Sequence, residues 1–128
     1  MKRIIAFFVF ILSLSSTFAQ TYTLTSNSFV TIKEPYERKE FNQRSIIVVD
    51  MNKLTIEIYR GNNHYYLKIL EQKRAHDGGR NFKCLDIRKN KRINCWVNYN
   101  DMSAMAGRPL YQLWVSYDKL NVYYYIDG

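Results

Sequence analysis

The sequence predicts an all-β fold: an antiparallel meander of six to eight strands that coils into a small, partly open barrel. Apolar and polar residues alternate with a period of two along most of the chain, as in strands with one buried face. Short segments rich in Asn, Asp and Gly, which suit tight turns, separate the alternating runs. Hardly any segment has the pattern of a helix. Because a flat sheet of this size would leave an apolar face in water, we expect closure into a barrel, with a two-layer sandwich as the alternative.

The N-terminus has the pattern of a secretory signal peptide. Two cations precede an uncharged, mostly apolar run, Ile4–Leu14, and small residues follow at Thr17 and Ala19. A retained membrane anchor is the alternative, but a spanning helix needs about 20 apolar residues and this run is shorter. We therefore expect residues 1–19 to be a cleaved signal peptide and residues 20–128 to form a single β domain. The protein is then exported to the periplasm or the extracellular medium.

The strands of the β domain are expected to follow one another in a regular series. In one of them Leu54, Ile56 and Ile58 alternate with polar neighbours, and near the C-terminus Val122 and Tyr124 do the same. Turn residues such as Asn, Asp and Gly separate most of these runs, and such short connections favour antiparallel neighbours. The predicted strands are 29–32, 45–49, 54–60, 64–70, 81–87, 92–99, 110–117 and 120–126, and residues 22–24 are a candidate for one more short strand before them.

Two segments lack the alternation. Residues 34–44 are highly charged and contain a proline, so we expect an irregular loop. One short helical turn is predicted near 101–106, where Asp101 or Ser103 is suited to cap its start and Gly107 to end it.

The two cysteines are predicted to face each other across a hairpin. If Lys89 and Asn90 form the turn, Cys84 and Cys95 become direct cross-strand partners with Cα atoms about 4.5–5.5 Å apart. That separation suits a disulfide, and export supplies an oxidising compartment. We therefore predict a structural disulfide, with two free buried thiols as the alternative. Metal binding and redox chemistry are disfavoured, since no histidine is near and no Cys-x-x-Cys occurs.

The tip of the same hairpin is strongly basic. Arg88, Lys89, Lys91 and Arg92 surround one asparagine, and four further cations (Lys73, Arg74, Arg80 and Lys83) would extend the cluster if the meander brings them near. The full chain carries a net charge of +8. This favours anionic polymers such as acidic glycans, lipopolysaccharide or nucleic acid as partners. The alternative is an exposed turn kept soluble by charge.

Aromatic side chains offer another candidate surface. Tyr123 and Tyr125 share one face of the C-terminal strand, where they could stabilise the sheet or form a platform for sugars or peptides. Because this strand ends the chain, we expect it to be a sheet edge that could add a strand from a partner protein.

The catalytic signals are weak. His76 with Asp77 could act as a general base with an orienting carboxylate, but neighbouring loop residues rarely point at one another, and His64 is interpreted as structural. No nucleophile elbow, phosphate loop or zinc motif occurs, so we expect no cofactor and no metal site. The sequence therefore favours an exported non-enzymatic binding or envelope protein, followed by an anionic-polymer binder and then by a small hydrolase.

Overall fold

The computed structural model describes residues 21–74 and 79–127, which lie almost entirely in antiparallel strands. Residues 1–19, which the sequence predicts to be a signal peptide, and the pair His76 and Asp77 lie outside the described residues. The elements are β1 (Thr21–Ser26), β2 (Ser28–Lys33), β3 (Glu37–Phe41), β4 (Ser45–Asp50), β5 (Thr55–Arg60), β6 (Asn63–Arg74), β7 (Arg80–Arg88), β8 (Lys91–Asp101), α1 (Ser103–Ala106), β9 (Leu110–Ser116) and β10 (Leu120–Asp127).

The described strands form one sheet in the order β1-β4-β5-β6-β7-β8-β9-β10-β2-β3. From β4 to β10 each strand pairs with the next one along the chain, which is the predicted meander. Only Asn27 separates β1 from β2, yet β1 pairs with β4 and β2 pairs with β10. The N-terminal segment thus joins the two ends of the meander and curls the sheet into the predicted partly open barrel, with β1 and β3 as its edges.

The predicted inward face is confirmed. Ile56 and Ile58 on β5 are at most 2% exposed, and Val122, Tyr124 and Ile126 on β10 are also buried. Such side chains form one cluster inside the barrel, to which every described strand except β1 and β3 contributes. Period-two alternation therefore identified the core correctly, because each strand has one face in water and one in the interior.

The prediction of an irregular loop over residues 34–44 is wrong in part, because Glu37–Phe41 form β3. All five residues of β3 are exposed, so no alternation marks it as a strand. Its backbone pairs with β2 from Phe41 opposite Phe29 to Glu37 opposite Lys33. Its charged side chains suit an edge strand, since they discourage pairing with further chains.

The prediction that the C-terminal strand is an edge is also wrong. β10 pairs with β9 on one side and with β2 on the other. The chain end became an interior strand because the N-terminal segment returns to it, a long-range pairing that local sequence does not encode. A partner strand therefore has no free edge on β10.

The short helical turn lies where the sequence predicts it. The backbone N–H of Ser103 donates to Asp101 Oδ1 at 2.9 Å, which satisfies a donor at the start of α1. Gly107 follows α1 with a left-handed φ of 69°, and its N–H donates to the Ser103 carbonyl. Glycine ends the helix here because this backbone conformation is strained for other residues. Within the described ranges, no helix has the length and apolar composition needed to cross a bilayer.

Candidate ligand-binding site

The barrel is filled at its middle and hollow at both ends. Ile56 and Ile58 from β5 and Leu113 and Val115 from β9 form part of the middle layer, and none of them is more than 2% exposed. Ile56 and Leu113 border one cavity, whereas Ile58 and Val115 border the other. Because each pair is two residues apart along its strand, the cavities lie on opposite sides of this layer. We call them the apolar cavity and the polar cavity.

The apolar cavity has a volume of about 310 Å³ and lies at the end of the barrel where β4 turns into β5. Ligand pockets in proteins typically start at about 300 Å³ and are mostly apolar. Among the residues that line it, Arg80 alone is charged, and this residue is exposed at the start of β7. The lining residues are Tyr22, Leu24, Val49, Met51, Ile56, Arg80, Phe82, Tyr99 and Leu113.

The walls of the apolar cavity differ in how firmly they are held. Tyr99 on β8 stacks on Tyr111 of β9 with ring centroids 5.8 Å apart, and burial raises the pKa of Tyr99. On the opposite wall, Tyr22 and Leu24 belong to β1, which pairs only with β4. Tyr22 is 45% exposed. The cavity thus has a packed wall at β8 and β9 and an accessible rim at the edge strand β1.

The polar cavity, of about 220 Å³, lies at the other end of the barrel. Two arginines line it, Arg60 at the end of β5 and Arg88 at the end of β7. The other lining residues are Thr31, Ile58, Tyr65, Val115, Tyr117, Leu120, Val122 and Tyr124.

Arg60 is held by aromatic side chains. Its Nη1 donates to the Tyr124 hydroxyl at 3.1 Å and its Nη2 to the Tyr65 hydroxyl at 2.8 Å. The guanidinium also lies 4.3 Å from the ring centroid of Phe29 and 5.1 Å from that of Tyr65, which allows cation–π attraction. Within residues 21–74 and 79–127, no carboxylate lies within ion-pairing distance of Arg60.

Asp86 anchors the second arginine. Its carboxylate is fully buried. Oδ2 accepts a 2.6 Å hydrogen bond from the Tyr117 hydroxyl and lies 3.1 Å from Arg88 Nη2, with which it forms an ion pair. In the described part of the chain, Oδ1 has no hydrogen-bond partner. Burial and the hydrogen bond to Asp86 raise the pKa of Tyr117, and the hydrogen bond to Asp86 raises that of Arg88. Tyr117 therefore remains a protonated donor, and Arg88 remains charged.

The predicted pairing of the two cysteines is confirmed, but the disulfide is not formed. Cys84 and Cys95 are direct partners in the register of β7 and β8, and both are buried, free thiols. A facing pair brings the Cα atoms into range, yet a bridge also requires suitable Cβ directions and an S–S torsion near 90°. The pairing register ensures only that the Cα atoms are close enough. Burial raises the pKa of each thiol to about 12.

The basic tip is divided by the structure. Arg88 turns toward the buried Asp86 and the polar cavity, whereas Lys89, Lys91 and Arg92 are exposed at the hairpin tip. Arg80 lies at the opposite end of β7, roughly 26 Å away at about 3.3 Å per residue. The expectation that Arg80 and its basic neighbours extend the tip is therefore wrong, because an extended strand separates them. Anion binding by the tip stays a prediction.

The aromatic residues near the C-terminus lie on the outer face. Tyr123 and Tyr125 are half-buried and alternate with the buried Tyr124. Trp114 faces Tyr123 across β9 and β10, and the two rings stack with centroids 5.4 Å apart. This contact shows how the row stabilises the sheet, and its use as a binding platform stays a prediction.

His64 has structural contacts. Its ring stacks on Tyr59 with centroids 4.4 Å apart, and Nε2 lies 3.0 Å from Glu57 Oε1. In the portion of the chain that the structure describes, no three His, Cys, Asp or Glu side chains are grouped to hold a metal ion.

Sequence reasoning missed the polar cavity, although a signal for it exists. On β5, Arg60 lies on the same inward face as Ile56 and Ile58. On β7, Asp86 lies on the same inward face as Cys84. A charged residue at the next inward position after apolar ones indicates a polar group in the interior.

No protein-family model matches the chain, and neither the curated proteins nor the solved structures give a match.

Proposed function

We propose that this chain is an exported, non-enzymatic binding protein that holds a small, largely apolar ligand in the apolar cavity. The observation that carries the proposal is the cavity itself, about 310 Å³ of space walled mainly by apolar side chains at one end of the barrel. Export rests on the pattern of residues 1–19 and is part of the proposal.

The driving force for such binding is the removal of apolar surface from water, worth about 25 cal/mol per Å². Leu24, Val49, Met51 and Phe82 supply apolar contacts. Arg80 is suited to meet an anionic head group, but an exposed cation contributes little, about 0–1 kcal/mol. The ligand class is therefore a small apolar molecule, with or without a carboxylate.

The test is a titration of the exported protein with N-phenyl-1-naphthylamine, a neutral apolar fluorophore that brightens in apolar surroundings. We expect saturable binding at one site. The variant Leu24→Trp places a large ring in the half-buried wall of the cavity and should abolish the fluorescence increase.

The matched control is Leu70→Trp, the same substitution at an outward side chain that is 50% exposed. It should bind the fluorophore like the unchanged protein. Absence of saturable binding to the folded protein, or equal binding by both variants, would contradict the proposal.

A further inference from the structure

The polar cavity contains more hydrogen-bond donors than acceptors. Arg60 uses Nη1 and Nη2 to donate to the hydroxyls of Tyr124 and Tyr65. Those two phenol oxygens therefore act as acceptors, and their own O–H groups have no acceptor among the described residues. A guanidinium has five donors and no acceptor, and each of the two phenols has an unused O–H, so this group of three side chains is rich in unpaired donors.

The charged side chains that line the polar cavity are also positive. Arg60 and Arg88 both line it, and the nearby Asp86 carboxylate contacts Arg88 and Tyr117 through Oδ2. Arg60 is left with neutral partners. Among the described residues, Arg60 therefore has no carboxylate as an ion-pair partner.

A phenol is a useful donor only while it is protonated. Tyr124 is 2% exposed, and burial raises its pKa to about 12. Its hydroxyl stays protonated at neutral pH, beside a guanidinium that is always charged. Tyr124 therefore remains a hydrogen-bond donor over the physiological pH range.

We propose that the polar cavity binds a small oxyanion, such as phosphate or sulfate, between Arg60, Arg88 and the hydroxyls of Tyr65 and Tyr124. An oxyanion supplies several acceptors and the missing negative charge, and hydrogen bonds between charged partners are stronger than neutral ones. This site lies across the middle layer from the apolar cavity and is independent of the function proposed for it.

The experiment measures binding of inorganic phosphate to the full exported protein by calorimetry and by the thermal unfolding midpoint, with ionic strength held constant by chloride. Sulfate and acetate form parallel arms, so that a preference for tetrahedral anions is separated from one for carboxylates. We expect saturable binding of at least one of these anions. Arg60→Gln should weaken it tenfold or more.

The matched control is Arg38→Gln, which removes an exposed arginine on the edge strand β3. It should bind the anion like the unchanged protein. Because Arg60→Gln also loses ring contacts and could destabilise the fold, Tyr65→Phe provides a milder variant that keeps the ring and removes one hydroxyl. We expect it to weaken binding severalfold.

Three outcomes overturn the proposal: a midpoint that follows ionic strength alone, equal affinity in Arg60→Gln and Arg38→Gln, or unaltered affinity in a folded Tyr65→Phe variant. Leu24→Trp separates this site from the apolar cavity. It should abolish fluorophore binding and leave anion binding unchanged, so that failure of either site is recognised independently.

Discussion

At the scale of single residues, Asp86 is a buried carboxylate whose stability depends on its partners. A buried carboxylate is costly unless it is paired and hydrogen-bonded. Arg88 and Tyr117 both contact Oδ2. The Tyr117 hydroxyl is therefore expected to be important for stability, because its loss would leave the carboxylate with a single partner.

We predict that Tyr117→Phe lowers the free energy of unfolding by about 1–3 kcal/mol, the range for an unsatisfied buried polar group. Urea unfolding followed by tryptophan fluorescence measures the change. Tyr111→Phe is the control, since Tyr111 is half-buried on β9 and contributes a ring contact with Tyr99 that phenylalanine retains. Equal stability of the two variants would show that the Asp86 contact contributes little.

The buried thiols should be unreactive in the folded protein. Burial raises the pKa of Cys84 and of Cys95 to about 12, and the thiolate is the reactive form. We predict very slow alkylation by iodoacetamide at pH 7.5 in the native state. Denaturant without reductant should allow two equivalents to react, counted by mass spectrometry. A denatured protein that reacts only after reduction would contain a bridge instead.

At the scale of elements, tight turns fix which strands pair. Gly61 begins the two-residue turn between β5 and β6 with a left-handed φ of 59°. The turn brings Tyr59 opposite His64 and ends β5 at Arg60, which places this arginine at the mouth of the polar cavity. The geometry of one turn therefore also positions a candidate binding residue.

We predict that Gly61→Ala destabilises the protein by about 1–2 kcal/mol, because a Cβ makes the left-handed conformation unfavourable. A Cβ at this position would also lie 2.6 Å from Gln43 Nε2, at the flexible end of that side chain. Thermal unfolding of Gly61→Ala, Gln43→Ala and the double variant separates the two effects. If the double variant regains full stability, the side-chain contact and not the backbone accounts for the loss.

At the scale of the whole molecule, closure creates both cavities. β1 and β2 bridge the ends of the meander, so that side chains far apart in sequence meet inside one barrel. Arg60 and Arg88 illustrate this, since they lie on β5 and β7 and line the same space. The interior also contains groups that resist ionisation because they are buried, among them Cys84, Cys95 and Tyr124.

These groups predict a loss of stability at alkaline pH. The unfolded chain releases protons from the thiols near their ordinary pKa of 9.0 and from Tyr124 near 10.0, whereas the folded protein retains them up to about pH 12. Their contribution is therefore complete below about pH 9 and decreases as the pH rises toward 12. Denaturant titrations from pH 7 to 11 measure this. The double variant Cys84→Ala with Cys95→Ala should move the onset toward pH 10, and an unchanged onset would contradict the assignment.

Local patterns were informative wherever one face of a strand is buried. The alternation through Ile56 and Ile58 and the turn at Lys89 predicted core positions and the Cys84–Cys95 register correctly. β3 escaped prediction because all its side chains are exposed, and its stability comes from backbone pairing with β2. The prediction of a disulfide was wrong for a different reason, because the pairing register of β7 and β8 does not specify the side-chain torsions of the cysteines.

The sequence by itself determined the class of fold, the inward face of most strands and the order of the meander, since these depend on period two and on turns between near neighbours. Tertiary structure decided the closure through β1 and β2, the interior place of β10, and the meeting of Arg60 with Tyr65 and Tyr124. The physical reason is range: pairing between distant segments and the space left between curved walls depend on how the whole sheet coils, and no local pattern records that.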